Sequence, residues 1–395
     1  MNSRLWKLAA VAVALCGLPA LAQSASVEAA NAVHQQAMAS GSTADRILAA
    51  EALRDAVLAD PVRPDAVLRA YEAGQTLCVY AACEGAERVA DFAASGPLPA
   101  DVLTDEDIAL LSAFTDWSTG QAGARDRLDE ALSASMSVRA TPLSVVAFQS
   151  RYTSASNAQD WPRAARTAAE AAAYFAPHRQ MIGERWSDAV LASATAGYNS
   201  NPNGHDARVL GQHIADLITL DKELKDRPDW LADQVYLSLA WQTAILMYFD
   251  TASSRRELGS GRYTVSGPDA DQLKEQLLQL TASAGPSDLL PRRTGLLKRG
   301  ALPLCEGDFD ENPEVRYPAN AARGRKYGSV VTRVDIEDGE VKDVEVLAAV
   351  PKRTFDRNVI SAVKKWTWEI TDGEPGVTCT IDYENMIYVI MFGIN

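Results

Sequence analysis

Toward the C-terminus, Val330, Thr332, Val334 and Ile336 alternate with Arg333, Asp335 and Glu337. This is the period-2 signature of a half-buried strand. After Glu337-Asp338-Gly339 a second alternation sets Val344, Val346 and Ala348 against Asp343 and Glu345. A two-residue Asp-Gly turn would bring Val334 opposite Asp343. A three-residue loop instead gives Val330 and Thr332 apolar partners, so burial predicts that loop, with Gly339 as a left-handed bulge residue.

Beyond this hairpin the period changes. Phe355, Val359, Ala362, Val363 and Trp366 trace one apolar stripe, predicting a helix from about Thr354 to Trp366 with Asp356 in its first turn and Lys364 and Lys365 in its last. A final β-rich run, Val377 to Ile381 and then Met386 to Phe392, completes a three-stranded sheet that this helix covers on one face.

Upstream, the chain reads as helical. Candidate helices are Val27 to Met38, Thr43 to Ala59, Pro64 to Gly74, Glu84 to Ala94, Asp105 to Trp117, Ala124 to Met136, Trp161 to Phe175, Gly183 to Ala196, Asp206 to Leu224, Ala232 to Phe249 and Asp269 to Leu280. Helices this short usually stack in pairs into a solenoid. Asp160-Trp161-Pro162-Arg163-Ala164-Ala165, followed by Ala168 and Ala171, is similar to a tetratricopeptide helix. The full repeat does not recur at its usual period, so a plain α-helical domain is the alternative. Trp230 and Trp241 are expected to fill the helical core.

The C-terminal residues carry a more specific likeness. Tyr317-Pro318 with Ala321, then Gly328 and Val330, then Gly339, Val341, Asp343 and Val344, then Phe355-Asp356, Ala362-Val363 and Trp366, resemble the C-terminal domain of TonB-family proteins. Two positions depart from the family pattern. Arg325 stands where a glycine is usual, with Gly324 one place earlier, and Trp368 stands where Phe or Tyr is common. The resemblance covers about a fifth of the chain. It implies a binding and force-coupling module, since energy transducers of that family couple inner-membrane proton motive force to outer-membrane receptors and add a receptor segment as a strand to a sheet edge.

The other end reads as an export signal. Arg4 and Lys7 precede the apolar run Leu8 to Leu18, then Pro19 and the small-residue site Ala20-Leu21-Ala22. That run is shorter than the roughly 20 residues needed to span a bilayer. Cleavage after Ala22 and a periplasmic location are therefore expected, with an uncleaved inner-membrane anchor as the alternative. Leu15 before Cys16 disfavours a lipoprotein.

Four cysteines then remain, Cys78, Cys83, Cys305 and Cys379, an even number suited to an oxidising compartment. Of the three pairings, Cys78 with Cys83 and Cys305 with Cys379 are favoured, the first at a loop between helices and the second stapling the acidic approach segment Cys305 to Glu314 to the last strand.

These readings give an α+β multidomain chain: a signal at 1–22, an α-helical, solenoid or tetratricopeptide-like domain at 23–284, a linker at 285–316 and a β-β-α-β module at 317–395. The linker carries basic Arg292, Arg293, Lys298 and Arg299, followed by acidic Glu306 to Glu314. It lacks a long proline-rich spacer.

Net charge is −14, with 38 cationic and 52 acidic residues, and no basic stripe is present to neutralise phosphates, so a nucleic-acid partner is disfavoured. The four histidines, His34, His178, His205 and His213, show no metal-site spacing. No hydrolase or phosphate-binding motif occurs, and Gly259-Ser260-Gly261 reads as a turn. The expectation is a non-enzyme without cofactor, whose partner is a periplasmic or outer-membrane protein segment. The candidate edge is the last strand at Tyr388, Val389 and Ile390, unless the acidic approach segment caps it.

Overall fold

The computed structural model describes residues 26–96, 102–135, 140–201, 205–257, 270–287, 289, 305–311, 314–324, 326–372, 379–380 and 382–393. The expected signal, the basic run at 292–299, the turn at 259–261 and Arg325 lie outside them. The chain divides into two compact units, residues 1–143 and 144–395.

The first unit is helical: α1 (Val27–Ser40), α2 (Thr43–Ala59), α3 (Ala66–Val79), a 3-10 turn, α4 (Glu87–Ser95), α5 (Asp105–Ser118) and α6 (Ala124–Ser135). Its helix starts are written locally. Ser42 with Asp45 and Thr104 with Asp107 form reciprocal capping boxes that satisfy the first free N–H groups of α2 and α5. Leu53, Leu77, Leu111, Leu128 and Leu132 are fully buried. Cys78 at the end of α3 is bonded to Cys83 across a short turn in which Ala81 adopts φ 65°, which places the bridge at a loop between helices as expected.

The division falls near the start of α7 (Pro142–Asn157), and the second unit continues with α8 (Trp161–Phe175), α9 (Arg179–Ser200), α10 (His205–Glu223), α11 (Trp230–Glu257) and α12 (Ala270–Ser283). The sequence reading missed α7. Its Ser- and Thr-rich segment has no clean apolar stripe, yet Leu143, Ala147, Phe148 and Ala155 are buried. Trp241 enters the core as expected, whereas Trp230 is half-buried over Gly183, where a Cβ would lie 2.8 Å from its ring.

The C-terminal module follows: β1 (Glu306–Glu311), α13 (Ala319–Arg323), β2 (Gly328–Glu337), β3 (Glu340–Val350), α14 (Asp356–Val363), β4 (Thr367–Asp372) and β5 (Tyr383–Phe392). The sheet has five strands, in the order β1-β4-β3-β2-β5, correcting the expectation of three. β1 is acidic and holds a single large apolar residue, Phe309, while the alternation of Trp368 and Ile370 in β4 is only two apolar positions long and follows directly on the helix, so neither was recognised as a strand.

The hairpin also differs from expectation. Glu337 pairs with Glu340, leaving a two-residue turn in which Asp338 (φ 52°) and Gly339 (φ 78°) are both left-handed, the requirement of a type I′ turn. A bulge after Ile336↔Val341 then shifts the register, so Asp335 pairs with Asp343 and Val334 with Val344. Burial set the register as argued, through a bulge and not through a longer loop.

The sheet is covered on both faces, not one. Val330, Val334, Ile336, Val344 and Ala349 pack with Phe355, Val359, Val363 and Trp366 around α14. On the other face Val331, Leu347, Ala348 and Val350 join Trp241, Ala244, Ile245 and Phe249 of α11. Hence Gly328 to Thr332 are buried throughout, and only the outer half of β2, at Arg333, Asp335 and Glu337, shows the half-buried alternation.

A candidate partner-binding edge

The family-motif residues build the knot that holds the sheet edge. Phe355, just before α14, is fully buried and stacks on Phe392 at the end of β5 with ring centroids 4.1 Å apart. Tyr317 stands edge-on to both, at 5.6 and 5.9 Å, and its hydroxyl donates to the Lys326 carbonyl. Burial pushes the Tyr317 phenol up from its ordinary value, with Tyr327 adding to the effect. Gly328 lies directly under the Phe355 ring, where a Cβ would fall 2.1 Å from its Cε2. Gly328 and Phe355 are thus one requirement written at two places. Pro318 opens α13, which buries Ala321, and Asp356 occupies the first turn of α14. Trp366 is nearly buried under the sheet.

β4 joins β3 only at Glu340↔Thr367, with the Trp368 N–H donating to the Gly339 carbonyl at 2.7 Å. Phe309 of β1 reaches across the α14 side to Trp366, Trp368 and Tyr388, with centroids 5.0, 5.1 and 5.5 Å away. Cys305 is bonded to Cys379, its N–H donates to the Thr380 carbonyl at 2.9 Å, and the Tyr383 hydroxyl donates to the Cys305 carbonyl. The acidic approach segment is therefore pinned near the entrance to β5. As a strand it pairs with β4, at the opposite end of the sheet order, so it does not cap the length of β5.

β5 pairs with β2 from Gly328↔Phe392 to Ile336↔Tyr383, and no described strand lies on its outer side. The Thr332 hydroxyl donates to the Tyr388 carbonyl at 3.1 Å, so that carbonyl faces β2. Strand alternation then turns the backbone N–H and C=O of Ile387 and Val389 outward. Protected edges normally carry charge or proline. The run Met386 to Phe392 carries neither.

Its side chains divide by face. Met386, Tyr388 and Ile390 pack against the α14 core, and Tyr388 is edge-on to Trp366 at 5.1 Å. Val389 packs against the α11 cluster, while its same-face neighbours Ile387 and Met391 are 38% and 54% exposed. Tyr388 and Ile390 are therefore largely structural. The exposed apolar pair, Ile387 and Met391, was not singled out by sequence, because coverage of the second face by α11 could not be read from a period.

Ser187, His213 and Gln234 form a chain in which the Ser187 hydroxyl lies 2.8 Å from His213 Nε2 and donates to Gln234 Oε1 at 2.9 Å. A nucleophile needs access to substrate, but Ser187 is 0% and His213 2% exposed, and His213 Nδ1 meets no carboxylate. Burial holds the His213 imidazole down at about 3. A cavity of about 270 Å³ between α7, α8 and α9 is lined by Phe148, Phe175 and alanines, with Arg185 and Asp188 among its lining residues. Burial raises the Asp188 carboxyl, opposed by a 2.7 Å hydrogen bond from Gln234 and by Arg185. Among the described residues no group of three or more His, Cys, Asp and Glu is placed to hold a metal ion.

The comparison with known proteins falls on the same strands. Residues 313–388 match the family described as Gram-negative bacterial TonB protein C-terminal. Protein TonB of Escherichia coli (strain K12) is 35% identical over 83 residues, covering 21% of this chain and 31% of that protein. Protein TonB of Klebsiella pneumoniae is 35% identical over 68 residues, 17% of this chain and 28% of the relative. Protein TonB of Yersinia enterocolitica is 36% identical over 119 residues, 30% of this chain and 46% of the relative. The chain thus spans less than half the length of these relatives. Residues 313–388, which hold Tyr317, Gly328, Phe355, the hairpin and the first part of β5, thus match a TonB C-terminal domain, carried behind a helical region.

Proposed function

We propose that this chain is a non-enzymatic, TonB-like envelope protein that captures an extended segment of a periplasmic or outer-membrane protein by adding it as a strand to β5, in support of envelope transport. The observation that carries this reading is the outer side of β5 from Met386 to Phe392, an uncharged apolar edge with outward-turned backbone groups at Ile387 and Val389, next to strands that match a TonB C-terminal domain. The helical region serves as a tetratricopeptide-like scaffold for that edge.

In this reading the chain is exported, cleaved after Ala22 and periplasmic. The alternative is an inner-membrane-anchored energy transducer in which the N-terminal segment stays uncleaved. Among the described residues no helix is long and apolar enough to cross a membrane. The mature N-terminus separates the two: mass spectrometry should find Gln23 first in a soluble periplasmic fraction, and intact Met1 in a membrane pellet would select the anchored form.

Strand addition itself is tested by placing a photo-crosslinking residue at Ile387 in cells and identifying the adduct. Val389→Pro removes one outward donor and should abolish that adduct while circular dichroism stays native. A folded Val389→Pro variant that still captures the same partner ends the reading.

A further inference from the structure

The two faces of β5 are not equivalent. On the α14 side Met386, Tyr388 and Ile390 are held by the core, and the aromatic contacts of Tyr388 to Phe309 and Trp366 leave that face already packed. On the α11 side Ile387, Val389 and Met391 form one stripe at intervals of two residues. Val389 packs on the cluster that contains Trp241, Ala244, Ile245 and Phe249 of α11, and the stripe then opens to solvent at Ile387 and Met391. Among the described residues the apolar layer between α11 and the sheet therefore runs out to the edge of the sheet without a closing element.

We infer that the helical region forms part of the partner site, and that the preferred partner is an extended segment with apolar side chains at alternate positions, all turned toward the α11 side. This rests on the strand-addition reading and adds to it a face and a pattern. Outward backbone groups at Ile387 and Val389 hold any strand regardless of sequence. Selectivity comes from alternate side chains of the incoming strand, which cover Ile387 and Met391 and extend the α11 cluster by one more row. The occupant is a segment of another protein and not a helix, because only an extended backbone matches the spacing of the open groups along β5.

The test uses the full mature chain and two synthetic ten-residue peptides of identical composition. One alternates Val and Leu with Ser and Lys; the other groups its apolar residues in a block. Affinity is measured by titration, and hydrogen exchange reads the Ile387 and Val389 amides. The alternating peptide should protect both amides and bind about tenfold more tightly than the block peptide, a factor equal to about 1.4 kcal/mol. Ile387→Ser combined with Met391→Ser should remove that preference. Ile370→Ser, at a 49% exposed position on β4, should leave it intact.

If both peptides protect the amides equally and the Ser variants bind as the parent does, the face preference is overturned while strand addition stands. Failure of both peptides to protect the amides overturns the inference, and the crosslink at Ile387 then judges strand addition separately. Amides protected without peptide, in step with concentration-dependent self-association, would assign the stripe to a second copy of the chain and overturn the inference.

Discussion

The dependence of Gly328 on Phe355 gives a double-mutant prediction with a defined sign. Phe355 is 0% exposed, so Phe355→Ala should cost about 3–5 kcal/mol from lost burial and the cavity left behind. Gly328→Ala alone puts a Cβ 2.1 Å from Cε2 and 2.5 Å from Cδ2 of that ring. The ring cannot retreat freely, because Phe392 is stacked on it at 4.1 Å and Tyr317 stands edge-on at 5.6 Å. Overpacking of this kind costs about 1–3 kcal/mol. Once Phe355 is alanine the obstruction is gone, so adding Gly328→Ala should cost little. The double variant should thus be more stable than the sum of its parts by about 1–3 kcal/mol. Since a chain with two compact units need not unfold in one step, the readout is native-state hydrogen exchange of peptides from β2 and β5 across a urea series. Additivity within about 0.5 kcal/mol would refute the argument that the glycine exists to admit the ring.

Loss of the Cys305–Cys379 bridge, which spans 74 positions, should lower the stability of the C-terminal module by about 4 kcal/mol in the chain-entropy account. Cys379→Ser should show this as a lower melting temperature, and a non-reducing digest of the parent should yield the linked peptide pair; free thiols at both positions in exported protein would contradict it. For His213, the folded imidazole titrates at about 3 against an ordinary value of about 6.5, so the unfolded chain binds the extra proton first. Stability is therefore retained above about pH 6.5 and lost as pH falls, by about 2 kcal/mol at pH 5, and His213→Gln should remove that slope from melts run between pH 7 and 5.

Much of this protein is determined by its sequence locally. Helix α2 begins at Thr43 because Ser42 and Asp45 cap it, and α8 begins at Trp161 because the Asp160 side chain accepts from the Arg163 N–H. The even set of four cysteines allowed three pairings, of which the favoured one, Cys78–Cys83 with Cys305–Cys379, is present, and the motif from Tyr317 to Trp366 pointed to the C-terminal domain, because its glycine and aromatics serve one packing knot. Tertiary structure decided what periodicity cannot carry. The Asp338-Gly339 turn and the bulge beyond it were chosen by burial of the whole hairpin. β1 and β4 are strands because they pair with each other, with Phe309 of β1 packed on Trp366; the two-position alternation of Trp368 and Ile370 is too short to announce β4 by itself. The pattern of β2 records one covered face, but α11 buries the other between Gly328 and Thr332. That second layer comes from α11, far upstream in the chain, and where it stops short of Ile387 and Met391 is a property of packing alone.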